Sequence, residues 1–267
     1  VSTSVPVHAV EQIVLDGLSK TYASSDGEVI ALSPTSLTIE PGEFVAVVGP
    51  SGCGKTTLLQ TVAGFVTPTT GSVTVGGTPV AGPNPDRGVV FQSPTLYPWL
   101  SVRGNVEFGP RARGEKRAAR KARALEALDL VGLKDFADKR PYELSGGMQQ
   151  RAQIARVFVN NPRIVLMDEP YSALDPFTRE QLQVQLLELW QRERKTIVFV
   201  THSVEEALFL STRVIVMSAR PGRVIADRKV ELPGDDQPGV RSLEVLGTPE
   251  LAAQKAELAR LILEAHG

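Results

Sequence analysis

Apolar positions along this chain fall into short, nearly unbroken runs separated by longer stretches of helical period. Phe44–Val48 runs into Gly49, Val89-Val90-Phe91 into Gln92, and Ile164–Met167 into Asp168-Glu169. Thr196–Val200 precedes His202, and Val214–Met217 completes the set. Three to five consecutive apolar residues bounded by turn or charged residues are the pattern of parallel strands buried on both faces. Helical stretches lie between them. Lys55–Ala63 can be stopped by Gly64, Pro176–Arg194 follows the carboxylate pair, and Val204–Leu210 opens with Ser203 and Glu206 spaced as a capping box. Strand and helix in alternation predict an α/β parallel core.

Two regions depart from that alternation. Ile13–Leu15, Leu37–Ile39 and Ser72–Val75 are flanked by turn residues and predict a small mixed or antiparallel sheet beside the core. From Pro94 to Asn161 strand patterns vanish, and two helices are expected: Glu115–Leu130, and one from Ser145, a plausible N-cap, to about Val159. An inserted helical lobe at about residues 93–161 follows. After Pro221 come one strand-like run, Arg223–Ala226, a Pro/Gly/Asp-rich link, and an amphipathic helix from Pro249 to Ala265. The expected division is a main domain over 11–220 and a short extension over 221–267 that ends in that helix.

Bulk properties narrow the partners. The 267 residues can bury a substantial core, and 29 Lys+Arg against 30 Asp+Glu give a net charge of -1, which argues against a polyanion as main partner. Arg111–Arg123 does carry seven basic residues and a single Glu, and reads as a solvated helix face. Cys53 is the only cysteine, so no intrachain disulfide forms, as in a reducing compartment. Val1–Gln12 has no basic segment followed by an apolar run, and no uncharged apolar stretch reaches the roughly 18 residues of a membrane span. A membrane connection is expected to come through a partner.

The chemistry lies at the ends of the apolar runs. Gly49-Pro50-Ser51-Gly52-Cys53-Gly54-Lys55-Thr56-Thr57 matches the phosphate-loop pattern G-x-x-x-x-G-K-[ST] and stands between a buried strand and a helix. Its glycines let successive N–H groups turn towards phosphate oxygens, Lys55 reaches the β- and γ-phosphates, and the Thr56 hydroxyl binds Mg²⁺. Asp168, at a strand end, is placed to hold Mg²⁺, and Glu169 to act as general base on the attacking water. Leu144–Arg151 reads Leu-Ser-Gly-Gly-Met-Gln-Gln-Arg, a Ser-Gly-Gly turn that opens a helix and is itself an anion site. Two phosphate-binding elements and one base raise the idea of a nucleotide shared between two copies of the chain.

In this order and spacing, Gly49–Thr57, Leu144–Arg151 and Ile164–Glu169 resemble the nucleotide-binding subunit of ATP-binding cassette (ABC) transporters over about residues 11 to 220. The resemblance implies a P-loop NTPase (RecA-like) core with an N-terminal antiparallel β subdomain and an inserted α-helical subdomain. It also implies a homodimer in the ATP-bound state, with each ATP between the phosphate loop of one copy and Ser145, Gly146, Gly147 and Gln149 of the other. By the same resemblance Gln92 senses Mg²⁺ and the attacking water, and His202 contacts the γ-phosphate. The Ser172–Asp175 loop crosses the dimer interface, and Tyr22 stacks on adenine. Met148 and Tyr171 depart from the residues frequent at their positions without changing how those positions pack. Pro94–Ser101, an apolar loop with Tyr97 and Trp99, corresponds to the groove for a membrane subunit.

Asn84–Gln92, Leu96–Trp99, Asp175–Arg179 and Ala219–Arg223 are similar to the taurine/nitrate/sulfonate importer branch, its taurine-type members above all. One cassette without a membrane span implies separate integral membrane permease subunits at the cytoplasmic face of the cell membrane, served indirectly by an extracytoplasmic solute-binding protein. No nucleic acid is expected. The competing readings are a non-transport ABC ATPase acting on a cytoplasmic macromolecular partner, and a P-loop kinase, which leaves Leu144–Arg151 unexplained.

Overall fold

A computed structural model describes residues 12–25, 27–233 and 241–264. The N-terminal segment before Gln12, the expected domain start at residue 11 and the expected helix end at Ala265 fall outside them.

The first layer is antiparallel. Strands β1 (Ile13–Ser24), β2 (Gly27–Ile39), β4 (Thr70–Val75) and β5 (Thr78–Pro79) form a four-stranded sheet in the order β2-β1-β4-β5. β1 and β2 are far longer than the apolar triplets at Ile13 and Leu37 predict. Their distal halves, paired as Tyr22↔Val29 and Ala23↔Glu28, are largely exposed, so no alternation of apolar residues marks them.

The second layer holds β3 (Phe44–Val48), β6 (Arg87–Val90), β7 (Ile164–Asp168), β8 (Thr196–Val200), β9 (Arg213–Met217) and β10 (Val224–Lys229). Their order is β10-β9-β3-β8-β7-β6, parallel throughout except for the antiparallel β10 edge. Although β3, β7 and β8 are buried at every residue, their side chains still alternate between faces. Val45, Val47, Ile164, Leu166, Val198 and Val200 pack towards the first sheet and helix α1 (Lys55–Ala63). Val165, Met167, Ile197 and Phe199 pack on the opposite side with the helical segment and α5 (Pro176–Glu193). Helices α6 (Val204–Leu210) and α7 (Pro249–Glu264) close the β9 side around Leu208, Val214 and Leu258.

Between β6 and β7 the chain is helical: α2 (Val102–Ala112), α3 (Arg117–Leu130) and α4 (Gly146–Phe158) pack on one another. Sequence reading leaves α2 out because Gly104, Gly109 and Pro110 all weigh against a helix. Bonds to the preceding loop override them. Ser101 Oγ caps the Gly104 N–H at 3.1 Å, and the buried Asn105 amide accepts from Tyr97 N–H at 2.7 Å while donating to Ser101 O at 3.0 Å. The basic segment Arg111–Arg123 is only partly a solvated face, since Arg120 pairs with Glu107 at 3.0 Å and Arg123 with Glu115 at 2.5 Å.

One local prediction is corrected. Ser203 Oγ accepts the Glu206 N–H at 3.2 Å, but the capping box at α6 is only half made. Thr201 Oγ1 takes the Ser203 N–H at 3.0 Å, and the Glu206 carboxylate turns inwards to Thr201 and Gln183 instead. Burial of that carboxylate pushes its pKa up, with both hydrogen bonds opposing.

Candidate nucleotide site

In an open parallel sheet, ligands bind beyond the carboxyl ends of the strands, where loops and helix N-termini converge. That edge carries Gly49 after β3, Gln92 after β6, Glu169 after β7 and His202 after β8, on four strands that are neighbours in the sheet.

The phosphate loop is built for close approach. Gly54 caps α1 in a left-handed conformation (φ 94°), and a Cβ there would stand 2.5 Å from Ala31 O, so only glycine fits. No side chain caps this helix end, so its first N–H groups and the positive end of its dipole are left to an anion. Lys55 is 6% exposed, and its ammonium donates to Gly49 O at 2.8 Å and Pro50 O at 2.9 Å. Cys53 Sγ lies 3.7 Å from the same nitrogen and is fully buried. Ser51 and Gly52 form the exposed apex of the loop, and Thr56 and Thr57 enter α1.

Asp168 is buried and hydrogen-bonded to the Thr56 side chain. Burial pushes its pKa up; the Thr56 bond pulls it back, and the neighbouring Glu169 adds to the rise while Lys55 opposes it. A hydroxyl, a carboxylate and the side-chain oxygen of Gln92 are hard oxygen donors. Among the described residues, no cluster of His, Cys, Asp and Glu could hold a metal by itself. Such a sparse set suits Mg²⁺, which keeps its waters and shares phosphate oxygens with one or two carboxylates.

Glu169 sits in a left-handed backbone conformation (φ 43°), a strain of about 1–3 kcal/mol for a residue with a Cβ. Three bonds hold it there: its N–H donates to Val200 O at 2.9 Å, and its carbonyl accepts from Ser172 N–H at 3.2 Å and Ser172 Oγ at 3.0 Å. The result is convergence on one atom. Glu169 Oε2 accepts from Gln92 Nε2 at 3.0 Å and lies 3.4 Å from His202 Nδ1. Three residues separated widely in the chain thus share one carboxylate oxygen.

The other expected residues lie in two further places. Ser145 is the N-cap of α4, its Oγ accepting the Met148 N–H at 3.3 Å, and Ser145 and Gly146 are exposed. Gln149 Nε2 donates to Leu144 O at 3.2 Å. A Cβ on Gly147 would stand 3.1 Å from Leu174 Cδ2, which sets this segment beside the Ser172–Asp175 loop. Asp175 caps α5 by accepting the Thr178 N–H at 3.0 Å, and the bonds from Thr178 hold its carboxyl below the ordinary value. Among the described residues, no hydrogen bond joins Ser145–Gln149 to the phosphate loop or to Glu169. Tyr22, 38% exposed on β1, has Lys20 Nζ 5.0 Å above its ring.

Two features of the site escape sequence reading. Gly222 presses on the phosphate loop so closely that a Cβ would stand 1.8 Å from Cys53 O, and its carbonyl accepts the Ser33 N–H at 2.8 Å. The buried Gln150 and Gln153 on α4 both donate to Phe91 O, at 3.0 and 2.7 Å, beside Gln92. A close backbone contact and a buried amide between distant segments leave no local pattern in a sequence.

With this geometry in hand, a family comparison decides the class: residues 32–172, from β2 through the Ser172 loop, match the model for "ABC transporter". The chain belongs to the ABC transporter family. It is an ATP-binding cassette with the family's ATPase activity, built on a P-loop NTPase fold. Among ABC transporter subunits, it is 50% identical over 237 residues to the taurine import ATP-binding protein TauB of Jannaschia sp. (strain CCS1), covering 88% of each chain. It is 44% identical over 246 residues to the nitrate import ATP-binding protein NrtD of Synechocystis sp., covering 92% of each. A dimeric structure of MJ0796, described as a bacterial ABC transporter cassette, superimposes with a TM-score of 0.76 at 36% identity, covering 82% of this chain and 99% of that one. A post-hydrolysis dimer of the same cassette, bound to ADP and Pi, gives 0.75.

Proposed function

We propose that this chain is the ATP-hydrolysing subunit of an importer for a small solute of the taurine, alkanesulfonate or nitrate kind. It works as a head-to-tail homodimer at the cytoplasmic face of the membrane, against integral permease subunits fed by an extracytoplasmic solute-binding protein. The observation that carries the hydrolytic part is the meeting of Gln92, Glu169 and His202 at Glu169 Oε2. The main domain spans 11–220, with the helical lobe at about 93–161 and the extension over 221–267.

Each residue then has a task. The N–H groups of Gly49–Thr57 cradle the phosphates, Lys55 neutralises the β- and γ-phosphates, and Tyr22 stacks on adenine. Thr56 and Asp168, with Gln92, would hold Mg²⁺, which supplies charge neutralisation at the phosphates. Glu169 takes the proton of the attacking water, Gln92 orients that water, and His202 touches the γ-phosphate. Ser145, Gly146, Gly147 and Gln149 of the second copy close over the same γ-phosphate, and Asp175 lies at the seam between copies. Catalysis is mostly positioning and electrostatics.

An aromatic surface supports a membrane partner. Trp99 is 68% exposed and stacks on Tyr97 at 5.3 Å, and Tyr97 packs on Phe108 at 4.8 Å. Aromatic groups on an exposed loop next to Gln92 suit a helix inserted by a partner. The test is to isolate the tagged chain from its host's membranes. A multi-span membrane protein should come with it, and Trp99→Ala should weaken that capture while leaving ATP affinity unchanged. Candidate solutes are then tested for thermal stabilisation of the accompanying solute-binding protein. Capture of a soluble macromolecule in place of a membrane protein would overturn the importer reading.

A further inference from the structure

Gln153 lies in the middle of α4, fully buried, and spends all but one of its amide's hydrogen bonds on the segment that follows β6. Its Nε2 donates to Phe91 O at 2.7 Å and to Gln150 Oε1 at 3.4 Å, while its Oε1 accepts Thr95 N–H and Thr95 Oγ1, each at 2.9 Å. A primary amide offers two donors and one oxygen with two lone pairs, so every hydrogen-bonding position is filled. Gln150 Nε2 adds a second bond to Phe91 O at 3.0 Å, and Arg156 donates to Thr95 O at 2.8 Å and Thr95 Oγ1 at 2.7 Å. A buried polar network satisfied to this degree is rigid.

The clamp grips both sides of one residue. Phe91 C=O belongs to the peptide plane that carries the Gln92 N–H, so fixing that carbonyl fixes the direction from which Gln92 leaves the backbone. Thr95 holds the far side of the same turn. From there the Gln92 amide reaches Glu169 Oε2 at 3.0 Å. At the other end of the rod, Ser145 lies eight residues upstream of Gln153, ~12 Å along the helix axis.

We propose that Gln153 is a positioning residue for ATP hydrolysis, locking the backbone of residues 91–95 to α4 so that Gln92 and the Ser145–Gly147 segment move as one body. A displacement of the α4 N-terminus then changes the distance between Gln92 and Glu169 without any rearrangement in between. The inference rests on the reading of Gln92 and Glu169 as hydrolytic residues.

A double-mutant cycle on ATP hydrolysis tests it. Gln153→Ala should lower kcat by about tenfold or more, as a misplaced catalytic group does, with KM for ATP within about twofold of the parent. Gln92→Ala combined with Gln153→Ala should have the kcat of Gln92→Ala alone, because both changes remove the same contact. If the two losses multiply, Gln153 acts independently of Gln92 and the proposal fails; it fails equally if Gln153→Ala hydrolyses like the parent. A Gln92→Ala single variant with unchanged kcat would instead sink the underlying assignment of Gln92. Should Gln153→Ala not fold, Thr95→Val removes the hydroxyl bonds to Gln153 and Arg156, and its loss must likewise vanish in the Gln92→Ala background.

Discussion

Helices α1 and α4 each open with an N-terminus suited to an anion, and the chain builds the two in opposite ways. α1 begins at a left-handed Gly54 with no capping side chain, and its first residue is the buried cation Lys55. Thr56 and Asp168 lie against it. α4 begins at Ser145, whose hydroxyl already caps the Met148 N–H, and its first turn of Gly146, Gly147, Met148 and Gln149 carries no charge and lies near solvent. An uncapped helix end with its own buried lysine can hold phosphate alone. A capped, neutral, exposed end has only its dipole and a few N–H groups, worth about 0.3–1 kcal/mol at a surface, and so needs the rest of the charge to be supplied by a second body. On the proposed function, the contrast is between a site and half of one.

The largest expected effect separates chemistry from both helix ends. Glu169→Gln should cut kcat by about 10²–10⁴-fold, the range for a general base, because the amide cannot take a proton from water. ATP affinity should persist, since neither the phosphate loop nor α4 is altered, and ATP-bound dimers should accumulate in light scattering. A variant that hydrolyses normally would remove Glu169 from the role of base.

A second experiment attacks the contrast itself. Lys55→Ala should abolish ATP binding by an isolated subunit, whereas Ser145→Arg should leave that binding intact and block closure of the dimer. Mixed in one solution, the two variants can form a heterodimer with one intact composite site, from the phosphate loop of one and the α4 N-terminus of the other. ATP-dependent heterodimers are expected where neither variant dimerises alone. If no mixture forms them, the half-site reading of α4 is wrong. Ser145→Ala is the milder form: loss of the cap costs α4 about 1 kcal/mol and should lower kcat while the ATP affinity of the monomer stays constant.

The two ends were unequally legible in the sequence, for physical reasons. The phosphate loop has a local signature because its chemistry is local: Gly54 and Lys55 act within one turn, and β3 and α1 flank them at once. Asp168 and Glu169 were readable because a buried strand tolerates carboxylates only at its end. The helix α2 was invisible, since Asn105 and Ser101 hold it through bonds to its own flanking loop against the preferences of Gly104, Gly109 and Pro110. The capping box at Ser203 was overread because Glu206 has better partners inside, in Thr201 and Gln183, than on its own helix. Gln153 showed nothing at all: a glutamine on a helix looks solvent-facing until the loop it clamps is in place. Motifs whose chemistry is set by their own residues could be read, whereas side chains that choose a loop or core partner over their own helix, as at Asn105, Glu206 and Gln153, could not.

The smallest effect concerns a third helix N-terminus, which uses a third solution. Asp175 caps α5 with a carboxylate, so this end brings its own negative charge and has no use for an incoming anion. The bonds from Thr178 hold the folded-state pKa of Asp175 below its unfolded value. A depressed carboxyl contributes stability that is present above the unfolded pKa, about 3.9, and is lost as pH falls through the folded one. Asp175→Ala should therefore lower the Tm of the subunit at neutral pH, with the deficit narrowing below about pH 4 as the parent protein takes up the same proton. Asp175→Asn keeps a capping oxygen without the charge, and its deficit should be smaller and should close over the same interval. A deficit for Asp175→Ala that stays constant down to pH 2 would mean that the cap acts through hydrogen-bond geometry alone. In that case charge would distinguish α1 from α4 only, and α5 would belong with the hydroxyl-capped α4.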